Sequence, residues 1–171
     1  IKKLKDLPEE LEITRKWMLI GFYTGQRVSD LLSMTSENVR PAVNGLYIDI
    51  TQQKTNKYVT IGVSDPTTID VIMNSFPRPM TAIYFNRFIK KVCKLSGMTH
   101  TVRGYKNNPE TRRKEHGDFP KYELICAHDL RRSFATNYFG KVETPILMSI
   151  TGHSKETTFL SYIGAKCSHH S

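Results

Sequence analysis

Apolar side chains recur at helical spacing from Glu9 to Thr24, where Leu11, Trp17, Met18, Ile20 and Phe22 form a stripe behind Pro8. Thr24 and Gly25 break that stripe, and a second helix follows over VSDLLSM with Leu31, Leu32 and Met34 turned inward. Arg27 therefore falls at a junction between two core helices. From Leu46 the period drops to two: Leu46, Ile48 and Ile50 alternate with Tyr47, Asp49 and Thr51, and a second alternating run covers Tyr58 to Val63. The two runs predict a hairpin with Lys54 and Lys57 at its tip. Helical spacing returns from Pro66 to Asn74 and from Met80 to Ser96, the latter closed by Gly97.

The stretch from His100 to Lys121 is the most polar of the chain. It reads either as an extended basic loop or hairpin that meets phosphate or as a solvated insertion, and TVRGY and KYELI could pair as two strands with a loop between them. Three short helices follow. The first starts at His128, buries Leu130, Phe134, Ala135 and Tyr138, and ends at Gly140. The second has Thr144 as its cap and Pro145 at its first position, turns Ile146, Leu147 and Ile150 inward, and stops at Gly152. The third, capped by Ser154, runs through Phe159 and Leu160 to Tyr162. The pattern predicts a mainly α-helical α+β fold with a small antiparallel sheet or hairpin at one edge.

Composition narrows the class. A chain of 171 residues makes one domain able to bury a core without staples. Its 25 Lys and Arg against 16 Asp and Glu leave a formal charge of +9, which favours a polyanionic partner, nucleic acid first. No basic amphipathic helix with an aromatic face and no long apolar run points to a membrane. Cys93, Cys126 and Cys167 are odd in number and far apart, which suits a reducing cytosol. His169 and His170 lack companion ligands at metal-binding spacing and read as an exposed tail, so no metal and no cofactor is expected.

Between Ala127 and Ile163 the chain gathers His128, Arg131, Arg132, His153 and Tyr162. His128 and Arg131, three apart, project from one helix face, and His153 follows the helix-ending glycine. Basic donors beside a phenol suit an anionic substrate attacked by the hydroxyl. Each residue also has a plainer reading: Arg27 as a surface salt bridge with Asp30, His153 as a turn residue, Tyr162 as a core aromatic.

Taken in order, five features resemble one family, the tyrosine recombinases or phage integrases. TGQRVSDLL is similar to that family's first arginine motif, QQKTNK to its hairpin lysine, and HDLRRSFAT to its His-x-x-Arg box. ITGHSKETTFLSY resembles its Gly-His box and nucleophilic tyrosine, with an interval of 162 − 153 = 9 residues. The resemblance implies that Tyr162 attacks a scissile phosphodiester, that Arg27 and Arg131 clamp its non-bridging oxygens, and that His153 donates to a phosphate oxygen. It further implies His128 in proton transfer or phosphate contact, Lys54 as general acid with Lys57 as the rival, and Asp30 orienting Arg27. Asp30 departs from the family's more frequent glutamate by one methylene. Two planar guanidiniums also suit this chemistry on physical grounds, because a phosphodiester gains negative charge on attack.

The implied function is site-specific recombination of DNA, as in integration or excision of a mobile element, through a 3′-phosphotyrosyl intermediate. Two rivals are a type IB topoisomerase, whose members usually carry lysine where His128 stands, and a DNA-binding module without activity. Lys57, Arg103 and Arg132 are further candidates for DNA contact. By the resemblance, residues 1–171 form one catalytic domain without the family's core-binding and arm-binding domains, ending in a flexible tail over 164–171. The implied partner is double-stranded DNA at specific sites, bound by a homotetramer that is a monomer when free. The implied setting is the cytoplasm of a bacterium, the protein being bacterial or phage-encoded and associated with the nucleoid. Tyr162 is expected on a weakly anchored terminal helix, away from the two arginines in the absence of DNA.

Overall fold

A computed structural model describes residues 1–164. The tail expected over 164–171 therefore lies outside the described residues apart from Gly164. Among the described residues no helix is long and apolar enough to cross a membrane.

The central element is α1 (Glu9–Thr24), which packs against α3 (Pro66–Asn74), α4 (Ala82–Leu95) and α6 (Ala127–Tyr138). Trp17, Ile20, Phe85, Ile89 and Val92 are fully buried where these helices meet. The Trp17 indole donates to the Arg78 carbonyl at 3.0 Å, so the largest core side chain keeps its polar atom satisfied. The short α2 (Val28–Leu32) follows the break at Gly25; Leu31 and Met34 are buried while Leu32 is half-buried.

The hairpin is part of a three-stranded antiparallel sheet in the order β1 (Val39–Ala42), β2 (Gly45–Thr51), β3 (Tyr58–Val63). The edge strand β1 carries a proline and no apolar alternation, which hides it from a pattern reading. Across β2 and β3, Leu46 faces Val63, Ile48 faces Ile61 and Ile50 faces Val59, all six buried against the helices.

The polar stretch after α4 resolves into a second hairpin, but with a different pairing from TVRGY with KYELI. Strand β4 (Thr101–Asn107) pairs with β5 (Lys114–Pro120), and the KYEL segment instead forms α5 (Lys121–Leu124). Pro120 ends the ladder ahead of that helix. The hairpin buries neither face fully, so it shows no hydrophobic alternation for a register to be read from.

The last two helices are α7 (Thr144–Thr151) and α8 (Glu156–Ile163). Their caps differ from expectation: Glu143 precedes α7, with Thr144 already inside it, and Lys155 rather than Ser154 precedes α8. Neither start carries a side-chain cap. What holds α8 is packing: Phe159 is fully buried with Phe134, Ala135 and Leu147 in a small core of its own.

Candidate active site

The residues singled out by motif come from five separate segments, and the fold brings most of them together. Gly25 ends α1 in the left-handed conformation, φ 63°, and its carbonyl accepts a hydrogen bond from Arg131 Nη1 at 3.2 Å. A Cβ on Gly25 would stand 2.3 Å from the Phe134 ring, so only glycine lets α6 approach this closely. Arg131 is 3% exposed, which fixes its guanidinium with little freedom. Arg27 occupies the cap position of α2 in extended backbone, half-buried rather than on the surface. Its guanidinium lies under the turn after α7, where a Cβ on Gly152 would sit 3.0 Å from Nη2 and 3.2 Å from Nη1. Gly152, with φ 64°, thus closes over Arg27 and starts the turn that carries His153.

Tyr162 is inside this cluster, contrary to the expectation that it would stand away from the arginines. Its ring centroid lies 5.2 Å from that of His128 and 4.8 Å from that of His153, and Arg132 stacks over the ring at 5.4 Å. The reason is the Phe159 anchor, which lies one helical turn before Tyr162 and also packs edge-on against His153 at 5.4 Å. One buried aromatic therefore docks the helix and orients the phenol.

The electrostatics are those of a crowded cationic pocket. Burial, then repulsion from Arg27, brings the Arg131 guanidinium down to about 10, still charged at neutral pH. His128 and His153 are both held below the ordinary imidazole value, first by burial and then by Arg131. Both rings are thus neutral at physiological pH. Burial pushes the Tyr162 phenol up, opposed by the charges of Arg131 and Arg132.

Thr151 fixes the tautomer of His153. The threonine hydroxyl has one proton, which it donates to the Leu147 carbonyl at 2.7 Å, so at 2.8 Å it accepts Nδ1–H from His153. The neutral ring then presents an unprotonated Nε2, and it donates to a substrate oxygen only after taking up a proton.

Among the described residues, three buried side-chain polar atoms have no hydrogen-bond partner: Arg27 Nη1, Asp30 Oδ2 and Tyr162 Oη. All belong to residues of this cluster. Buried polar atoms left unsatisfied are costly; of the three, Arg27 Nη1 and Tyr162 Oη are donors open to an external anion, whereas Asp30 Oδ2 is an acceptor.

Asp30 is expected to orient Arg27, but no direct bond joins the two. The carboxylate is buried, and its Oδ1 instead accepts the backbone N–H of Gln53 at 2.9 Å. Its shorter side chain ties the tip of the first hairpin to α2. Lys54 and Lys57 are both exposed on that tip, and Lys57 lines an open cleft with His153, Ser149 and Thr144. Arg103 is exposed on β4, opposite Asp118, whereas Arg132 stacks on Tyr162 within the cluster.

Two residues escaped the motif reading. Gln26 is 2% exposed and Gln52 fully buried, joined by a hydrogen bond of 2.9 Å from Gln52 Nε2 to Gln26 Oε1. A signal for Gln52 was present: it continues the inward phase of Leu46, Ile48 and Ile50, so an amide stands where the pattern demands an apolar side chain.

Solved structures share the fold. A XerH site-specific recombinase bound to palindromic difH substrate, in a post-cleavage complex, superposes with a TM-score of 0.63 at 17% identity, over 92% of this chain and 44% of that one. A lambda integrase dimer bound to a COC′ core site gives 0.58 at 20% identity, over 91% and 56%. The Tn1549 transposon integrase in complex with circular intermediate DNA gives 0.53 at 17%, over 88% and 53%. The chain thus spans about half the length of these structures. No curated protein matches the chain. The family model of the phage integrases matches residues 1–169, and the chain belongs to the phage integrase family, the tyrosine recombinases.

Proposed function

We propose that this chain is the catalytic domain of a site-specific DNA recombinase, cutting and rejoining strands through a covalent 3′-phosphotyrosyl link. The observation that carries the reading is the docking of Tyr162 between His128 and His153, with its hydroxyl buried and unpartnered beside Arg131. A phosphodiester entering the pocket meets Arg27 and Arg131, whose planar donor forks suit the non-bridging oxygens. Tyr162 Oη attacks phosphorus; the Oη–P bond forms as the P–O5′ bond breaks. Neutral His128 is competent to take the phenol proton, and Lys54 supplies the proton that the departing 5′ oxygen requires. Attack on the phosphotyrosine by the 5′ hydroxyl of another strand reverses these steps, so the bond energy is conserved and no nucleotide cofactor is consumed. The arginines take the part that a metal ion plays in other phosphoryl transfers.

The +9 charge supports double-stranded DNA as the partner; recognition of particular sites, with a homotetramer on DNA as the working state and a monomer when free, belongs to the same proposal. A bacterial or phage-encoded protein acting in the cytoplasm fits this chemistry. The test is a DNA duplex nicked close to the cleaved phosphate, so that the released fragment diffuses away and the adduct accumulates. The unaltered chain should give a detergent-resistant protein–DNA adduct, and Tyr162→Phe should give none. An adduct of undiminished yield with Tyr162→Phe would overturn the nucleophile assignment. Absence of any adduct from the unaltered chain, with binding intact, would favour a DNA-binding module. A parallel assay on supercoiled plasmid lacking any recombination site separates the topoisomerase reading, which requires relaxation without sequence choice.

A further inference from the structure

Arg27, Lys54 and His153 lie on three segments that share no secondary structure, yet each sits within three residues of one buried hydrogen-bonded knot. Gln26 is next to Arg27, Gln52 is two residues before Lys54, and Ile150 is three residues before His153. The Ile150 carbonyl belongs to the last turn of α7, where helix carbonyls lack helical partners. It accepts from Gln52 Nε2 at 2.7 Å and from Gln26 Nε2 at 3.0 Å, and Gln26 Nε2 also reaches the Thr24 carbonyl at 2.9 Å. With Gln52 Nε2 on Gln26 Oε1, the two amides and one carbonyl form a closed set.

On its other side, Gln52 shapes the turn that carries Lys54. Its Oε1 accepts from Thr55 Oγ1 at 2.9 Å, its backbone N–H donates to the Lys57 carbonyl and its own carbonyl accepts from Asn56 N–H, both at 2.8 Å. Lys54 is thus bracketed by bonds that all run back to Gln52. The same Oε1 would lie 3.0 Å from a Cβ on Gly152, so the knot touches the turn that begins His153. Burying two amides in a core is costly unless both ends are satisfied. A pair of apolar residues would fill the space at less risk, so stability alone does not account for them.

We infer that Gln26 and Gln52 are positioning residues that fix Lys54, on the exposed hairpin tip, in register with the Arg27 and His153 segments. This rests on the proposed cleavage reaction, in which Lys54 protonates the departing 5′ oxygen. Gln52 acts through the turn and touches neither substrate nor reacting atoms.

The test compares cleavage of two nicked duplexes by the full chain, one with the normal 5′ oxygen and one with sulfur at that bridging position. A thiolate leaves without protonation, so loss of the acid is felt only with oxygen. Gln52→Met and Gln52→Glu should slow the oxygen substrate by about a hundredfold, the lower range for a lost general acid, while cleaving the sulfur substrate like the unaltered chain. Thr55→Val, a milder change to the half-buried hydroxyl, should show the same selectivity in weaker form. It keeps the inference testable if the core variants fail to fold. Gln52→Met combined with Lys54→Ala should be no slower than Lys54→Ala alone, since residues acting through one step do not add. Equal slowing of both substrates by Gln52→Met or Thr55→Val, or losses that multiply with Lys54→Ala, would overturn the inference. If Lys54→Ala itself is not rescued by sulfur, the assignment of the acid falls and the inference with it. If Lys54→Ala is rescued and the Gln52 and Thr55 variants are not, the inference falls alone.

Discussion

His153 and His128 enter the site neutral, and this has a measurable consequence. Both are held below their unfolded value of about 6.5, so near that pH the unfolded chain binds more protons than the folded one. Stability therefore rises with pH through this window and is lost as pH falls from the unfolded value toward the depressed folded ones. A phosphate group entering the pocket reverses the balance, because its negative charge favours the protonated rings. DNA binding should accordingly take up protons, seen by calorimetry in buffers of different ionisation enthalpy and as affinity that increases on acidification. His153→Gln should reduce the uptake. An uptake of zero in the unaltered chain would show that neither ring is protonated when phosphate enters.

Residue types and spacing made much of the cluster legible: the two arginines, both histidines and the tyrosine follow from short motifs in order. What the sequence hid was pairing. Asp30 reads as the natural partner of Arg27, three positions away on a short helix, yet the backbone of Gln53 claims its carboxylate instead. Gln26 and Gln52 have no local signature as a pair, since 26 residues separate them and only the docking of α7 gives them a common acceptor.

Among the elements, α8 shows how packing overrides an inference from position. A terminal helix of eight residues without a side-chain cap suggests loose attachment. Phe159, at 0% exposure, supplies what the cap does not. Removing it should cost about 3–5 kcal/mol locally, the usual range for a buried phenylalanine truncated to alanine. Because its core is separate from the one around α1, the expected outcome for Phe159→Ala is undocking of α8 rather than global unfolding. Far-UV circular dichroism should change little, amide exchange in α8 should accelerate, and adduct formation should fall steeply. Retained adduct yield would show that the tyrosine docks by another route. The β4–β5 hairpin makes the opposite point: an element with no buried face leaves no period to read, so its existence could be suggested but its register could not.

For the whole molecule, the charge of +9 sets how the domain meets a polyanion. If it neutralises about six phosphates, affinity should fall by roughly 10³-fold between about 50 and 200 mM salt. A filter-binding titration checks this, and tight, salt-insensitive binding would contradict an electrostatic interface. The general architecture was accessible from periodicity because long helices and the β2–β3 hairpin each bury one face. The third strand was not, because β1 lies at the sheet edge.

The small core shared by α6, α7 and α8 also divides the molecule into parts with different fates. The Arg27 and Lys54 segments and the bulk of the basic surface rest on the main core, while the nucleophile rests on the lesser one. On the proposed cleavage reaction, a protease cut between α7 and α8 would leave the nucleophile held only by the packing of Phe159, and adduct formation should fall while the main core stays folded.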